Sequence, residues 1–212
     1  SRGHLVSGTQ KFIWIEAALV NTLGTRALQN IFLFSSRFSR IRQTVGGGAG
    51  MNGIELKSSH YNLIDYIKTV NNGSSGLHLT SSTFNRFYGI RSYSNGAEGI
   101  HLASSSNGNS MANTISSSNG SAGIYVTGTS NGNTFAAVTT NSNLVNGLWA
   151  TSSSFGNFFH NAAVVNNTNY GLALVLSSDY TTVSQLAISD ASATEMNLGA
   201  LYTKFTGNII TG

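Results

Sequence analysis

A short phrase recurs six times along this chain: glycine, a branched aliphatic residue, a variable residue and an apolar one, led by Gly53, Gly76, Gly99, Gly123, Gly147 and Gly171. The leading glycines are 23, 23, 24, 24 and 24 residues apart, and matching phrases open at Asn30 and Glu195. A fixed period of this size requires a repeat architecture, in which each unit buries its apolar face against copies of itself.

Each unit reads the same way. The first and third residues after the glycine form apolar columns, from Ile31, Ile54 and Leu77 to Met196 and from Leu33, Leu56 and Leu79 to Leu198, while the residue between them varies. That alternation is a β-strand with two residues inward and one outward. Further along each unit stand a second inward series (Ile41, Ile64, Phe87, Met111, Phe135, Phe159) and a third (Thr44, Ile67, Ile90, Thr114, Val138, Ala162). Asparagines recur between strands, at Asn62, Asn85, Asn109, Asn133 and Asn157 and again at Asn72, Asn95, Asn119, Asn143 and Asn167. Asparagine tolerates the left-handed backbone of a tight corner, and stacked amides hydrogen-bond from one unit to the next.

Short strands, corners and columns of like residues at this period resemble the right-handed parallel β-helix superfamily of pectin-lyase-like proteins, in particular its repeats of Asn-x-apolar followed by Gly-Ile-x-Leu. The resemblance covers about 180 of 212 residues. It implies an all-β fold: one right-handed parallel β-helix of about seven coils over residues 30–212. Residues 1–29 break the period and are expected to form an N-terminal cap or a partner interface, with Phe12 to Ile15 as a strand leading into a short helix over Glu16 to Val20. No C-terminal cap follows Asn208-Ile209-Ile210, so the end is expected to pack on another chain or to be a cut; a homo-oligomer such as a trimer is one such arrangement.

The superfamily includes polysaccharide lyases and hydrolases, phage tailspikes, surface adhesins and inert scaffolds, so function depends on the site. Hydrolysis by the common route needs two carboxylates flanking the bond, and the lyases typically use aspartates for calcium with a basic proton acceptor. Here the acidic residues are Glu16, Glu55, Asp65, Glu98, Asp179, Asp190 and Glu195, and the superfamily's aspartate motifs are missing. The sequence therefore reads as non-catalytic, with no cofactor and no metal; an active site shared between subunits would escape that argument.

Charge narrows the partners. The formal charge is +4, but ten of the eleven Lys and Arg residues lie at or before Arg91, and Ile100 to Ser178 holds no Asp, Glu, Lys or Arg. A phosphate-neutralising surface would be confined to one half, so a nucleic-acid partner is not expected. No apolar run reaches membrane-spanning length. Low charge and abundant Ser, Thr, Asn and Gly, together with the resemblance, point to an extracellular, cell-surface or virion-surface location.

The variable residue of the phrase forms an outward column: Phe32, Glu55, His78, His101, Tyr125, Trp149, Ala173, Asn197. Four consecutive rings, His78, His101, Tyr125 and Trp149, suit stacking on the C–H faces of sugars, and exposed aromatic runs mark binding surfaces. Large planar side chains also favour a sheet surface without any ligand. Glu55, His78 and His101 are acceptable zinc ligands but would have to lean together out of a straight column. A second outward column, Arg40, Leu63, Arg86, Ser110, Thr134, Phe158, with Arg91 and Lys68 nearby, offers cations to an acidic sugar, or is only a solvated face. The expected partner is a glycan or polysaccharide, bound by an adhesin, fibre or tailspike-like module through His78, His101, Tyr125, Trp149, Arg86 and Arg91. The alternatives are a polysaccharide-degrading enzyme and a structural spacer.

Overall fold

The computed structural model describes residues 4–7, 14–16, 19–21, 29–189 and 194–210. Among them every regular element is a strand, and all strand pairs are parallel. The recurring phrase builds a nine-stranded sheet, from His4–Ser7 through Ile31–Phe34, Ile54–Lys57, Leu77–Thr80, Ile100–Ala103, Ile124–Val126, Leu148–Ala150 and Tyr170–Leu174 to Thr194–Leu198. Seven of the nine strands are flanked on both sides, which gives the expected seven or so coils. The register follows the period: Ile54 pairs with Leu77, Leu77 with Ile100, and Ile100 with Ile124.

The rest of each coil forms a second sheet. In the early coils it consists of two three-residue strands, such as Arg86–Tyr88 and Arg91–Tyr93; from Ser110–Ser117 to Thr182–Ser189 the two fuse into one eight-residue strand with a bend, and in the last coil they part again as Lys204–Thr206 and Ile209–Ile210. The bend residues Asn113, Ala137 and Asn161 hold φ near +50°, matching Tyr66 and Gly89 in the earlier coils.

Between the two sheets runs one continuous core. Its columns are Ile31 to Leu172, Leu33 to Leu174, and Ile41 through Ile64, Phe87, Met111, Phe135 and Phe159 to Val183, all essentially sealed from water. Phe135 stacks on Phe159 with ring centroids 4.9 Å apart. Both asparagine series are buried, and in each the side-chain amide of one coil donates to the carbonyl of the next, as from Asn85 to Asn109 (3.1 Å) and Asn95 to Asn119 (3.0 Å). Buried amides need such partners, because an unsatisfied one costs about 1–3 kcal/mol. The glycine of the phrase is where the chain packs against these amides: a Cβ on Gly99 would overlap Ser116 Oγ and come within 2.6 Å of Asn119 Nδ2.

The described residues before Gln29 carry the same two sheets one rung further. His4–Ser7 pairs with Ile31–Phe34, Trp14–Glu16 with Arg40–Arg42, and Leu19–Asn21 with Val45–Gly47. The short helix expected over Glu16 to Val20 is thus replaced at Leu19–Asn21 by a strand. Phe12 and Ile13 lie outside the described residues.

Candidate functional site

Strand pairing places Glu55, His78, His101, Tyr125, Trp149 and Ala173 in one column on the outer face of the first sheet. The rings stack in sequence, with centroids 4.8 Å apart for His78 and His101, 4.9 Å for His101 and Tyr125, and 4.4 Å for Tyr125 and Trp149. The rung spacing of parallel strands, about 4.8 Å, sets these distances. The column is half-buried rather than fully outward. The coil corners flank it: Asn52 Nδ2 lies 3.1 Å from His78 Nδ1 and donates to Glu55 (3.1 Å), Gln29 Nε2 donates to Glu55 (2.6 Å), and Ser75 Oγ donates to Glu98 (2.9 Å).

This environment keeps the imidazoles neutral. Burial lowers the pKa of His78, partly offset by Glu55 and Glu98. Burial, and then His78 beside it, pushes His101 down to about 4, although Glu98 pulls the other way. The 3.6 Å approach of His101 Nδ1 to Glu98 is therefore a polar contact at neutral pH and not an ion pair. His101 Nε2 is buried and has no hydrogen-bond partner among the described residues. Tyr125 Oη and Trp149 Nε1 make no hydrogen bond within the described residues, and at Ala173 the ring stack ends, so no further ring covers the indole.

Glu55, His78 and His101 do stand on adjacent rungs, but Glu55 is held by two side-chain amides and His78 by Asn52. Among the described residues no group of three or more His, Asp or Glu is arranged to hold a metal.

Arg86 and Arg91 belong to the second sheet, so the six candidate residues divide between two surfaces. Both arginines are exposed and have no carboxylate partner among the described residues. Their neighbours are committed: Arg40 pairs with Asp65 at 3.1 Å and lies over the Trp14 ring, and Lys68 lies over Tyr93.

The structure also shows an aromatic column that the sequence reading passed over. Phe38, Tyr61 and Phe84 stack at 5.6 and 5.3 Å, and Tyr180 and Tyr202 at 5.1 Å, all well exposed. Its signal was present: where the first asparagine series runs, each member directly follows a residue of this column.

A solenoid of parallel coils with polar ladders inside and rings outside defines the class of protein. The chain belongs to the right handed beta helix region family, whose model matches residues 29–188. No curated protein matches the chain in sequence. Among solved structures, the periplasmic alginate epimerase AlgG superposes with a TM-score of 0.80 at 15% identity, over 95% of this chain and 51% of AlgG. Pectate lyase Pel9A gives 0.79 at 11% identity over 99% of this chain and 65% of its own. The A-module of the Azotobacter vinelandii mannuronan C-5 epimerase AlgE6 gives 0.75 at 15% over 96% and 59%. At these identities the shared property is the fold, and the chain spans about half the length of AlgG.

Proposed function

We propose that this chain is a non-catalytic glycan-binding module of a surface or fibre protein, with the column His78, His101, Tyr125 and Trp149 as its platform and Arg86 and Arg91 as an accessory basic patch. The observation that carries the reading is the continuous ring stack of neutral side chains, whose Tyr125 hydroxyl and Trp149 N–H have no partner among the described residues. Flat apolar faces with a polar edge match a sugar, which offers C–H faces and hydroxyls together. The polysaccharide-acting names of AlgG and Pel9A, structures with this fold, support a carbohydrate partner. An outer location and a homo-oligomer belong to the same proposal, and in it residues 1–29 serve as the N-terminal cap.

The test is binding of the intact protein to a broad glycan array beside a Tyr125→Ala/Trp149→Ala double variant. Binding by the parent and loss in the variant is the expected result; a folded parent that binds no glycan refutes the reading. A second reading, a polysaccharide-modifying enzyme, draws on those same neighbours and on the unpartnered Nε2 of His101. Reducing ends, unsaturated products or epimerised sugars released from a polysaccharide panel would establish it in place of the first.

A further inference from the structure

Among the described residues an exposed column runs along the solenoid through Phe38, Tyr61, Phe84, Gly108, Gly132, Gly156, Tyr180 and Tyr202. All eight residues hold the same left-handed backbone, with φ of 54°, 56°, 55°, 63°, 62°, 61°, 56° and 56°. Five of them carry rings, so the conformation alone does not demand glycine at the other three. Crowding does not demand it at Gly132 or Gly156 either, since a Cβ at either would meet nothing within 4 Å. Gly108 differs: a Cβ there would lie 2.7 Å from the Phe84 ring, which folds over it. Past Phe84 the column is thus open as far as Tyr180.

The two ring stacks end facing this gap. Among the described residues Phe84 stacks on Tyr61 at 5.3 Å and on no ring on its other side, and Tyr180 stacks on Tyr202 at 5.1 Å and on no ring on its other side. From the rung that Phe84 covers to that of Tyr180 is three rungs, about 14 Å at about 4.8 Å each. One flank of the gap is formed by Asn107, Asn131 and the exposed Phe155, and it runs on into Asp179 beside Tyr180. The carbonyl oxygens of the two asparagine side chains accept the backbone N–H of Asn131 and of Phe155, both at 2.7 Å, and their amide N–H groups have no partner among the described residues. The other flank carries the outward hydroxyls of Ser110 and Thr134. Nothing from Ile100 to Ser178 is charged.

We infer that this gap seats a short stretch of neutral polysaccharide lying across the coils, with sugar faces on Phe84 and Tyr180 and sugar hydroxyls on the free amides of Asn107 and Asn131. A flat hydroxylated ring satisfies both the bare aromatic faces and the unpaired donors. An acidic sugar finds no cation there, which separates this surface from the arginines of the early coils. The inference rests on the glycan-binding reading and gives it a second site with its own ligand class.

The decisive variant is Gly132→Tyr. Tyrosine already occupies this backbone conformation at 61, 180 and 202, so the fold is kept while the gap is filled. Parent, Gly132→Tyr and Phe84→Ala proteins are titrated with neutral oligosaccharides (glucan, mannan, xylan) and an acidic one (oligogalacturonate), with thermal melts alongside. The expected result is an unchanged melt for Gly132→Tyr and a Kd for a neutral oligosaccharide raised by about tenfold or more in Gly132→Tyr and Phe84→Ala. A folded Gly132→Tyr with the parent's Kd overturns the inference and leaves glycan binding standing. Binding of the acidic oligosaccharide alone also overturns it. No binding of any glycan by the parent overturns both readings. If Gly132→Tyr melts early, Phe84→Ala and Tyr180→Ala decide the matter, and an unchanged Kd in both refutes the gap.

Discussion

Asn109→Ala tests what the buried amides contribute. Asn109 sits in mid-solenoid, 1% exposed. Its carbonyl oxygen accepts from the backbone N–H of Asn85 (2.9 Å) and from the Asn85 amide (3.1 Å), and its own amide donates to Ser82 O (2.9 Å) and to Asn133 Oδ1 (3.1 Å). Alanine removes all four bonds. Asn133 Oδ1 keeps the Asn109 backbone N–H at 2.8 Å, and the Asn85 amide keeps Ser59 O at 2.9 Å. Three buried groups then lack a partner: the Asn85 backbone N–H, one Asn85 amide hydrogen and Ser82 O. At about 1–3 kcal/mol for each orphaned group, and with some relaxation into the space the amide leaves, the expected loss is about 3–5 kcal/mol. The control is Asn141→Ala, whose side chain only accepts a bond from exposed Ser142, with an expected change within about 0.5 kcal/mol. Equilibrium urea unfolding followed by far-ultraviolet circular dichroism measures both, with equal m values confirming that the same surface is exposed. A loss below about 1 kcal/mol for Asn109→Ala at unchanged m would refute the view that the amide ladder holds the coils together.

Two further outcomes are expected. Phe135→Ala removes a ring that is 0% exposed and stacked on Phe159, and should cost about 3–5 kcal/mol in the same assay, whereas loss of the half-buried His101 side chain should cost little; the reverse order would invert the assignment of inner and outer columns. His101 titrates near 4 in the folded chain against 6.5 ordinarily, so between those values the unfolded chain binds a proton that the folded chain refuses. Its stabilising effect is full above pH 6.5 and falls as the pH drops toward 4, so the urea midpoint should decline from pH 7.5 to pH 5 less steeply in His101→Phe than in the parent, and parallel declines would contradict the assignment.

The fold was legible in the sequence because each column of the core repeats its chemistry at a constant spacing, and each buried asparagine must find a partner one rung away. The first coil was not, and the register says why. Trp14 pairs with Arg40 and His4 with Ile31, offsets of 26 and 27 residues, where the following coils are offset by 23 or 24 and the last by 22. The longer coil shifts its apolar residues out of phase with the rest. The column of His78, His101, Tyr125 and Trp149 was legible as a column, but its half-burial was not, since that depends on how the corners carrying Asn52 and Ser75 flank the sheet. The exposed rings went unseen for a different reason. Phe38, Tyr61, Phe84 and Tyr180 sit at corners, where alternation says nothing about direction, and the three intervening glycines conceal their periodicity.

Both asparagine series are linked in one sense: from Asn62 through Asn85, Asn109 and Asn133 to Asn157, and from Asn72 through Asn95, Asn119 and Asn143 to Asn167, one N–H of the amide is donated to the side-chain carbonyl of the following coil. The small amide dipoles therefore add along the axis instead of cancelling, and each bond polarises the next. The solenoid has a head and a tail set by its side chains as well as by its backbone. Duplicating one 24-residue coil in place would extend both strings without reversing a single donor, whereas a coil grafted one residue out of phase would remove its amides from both.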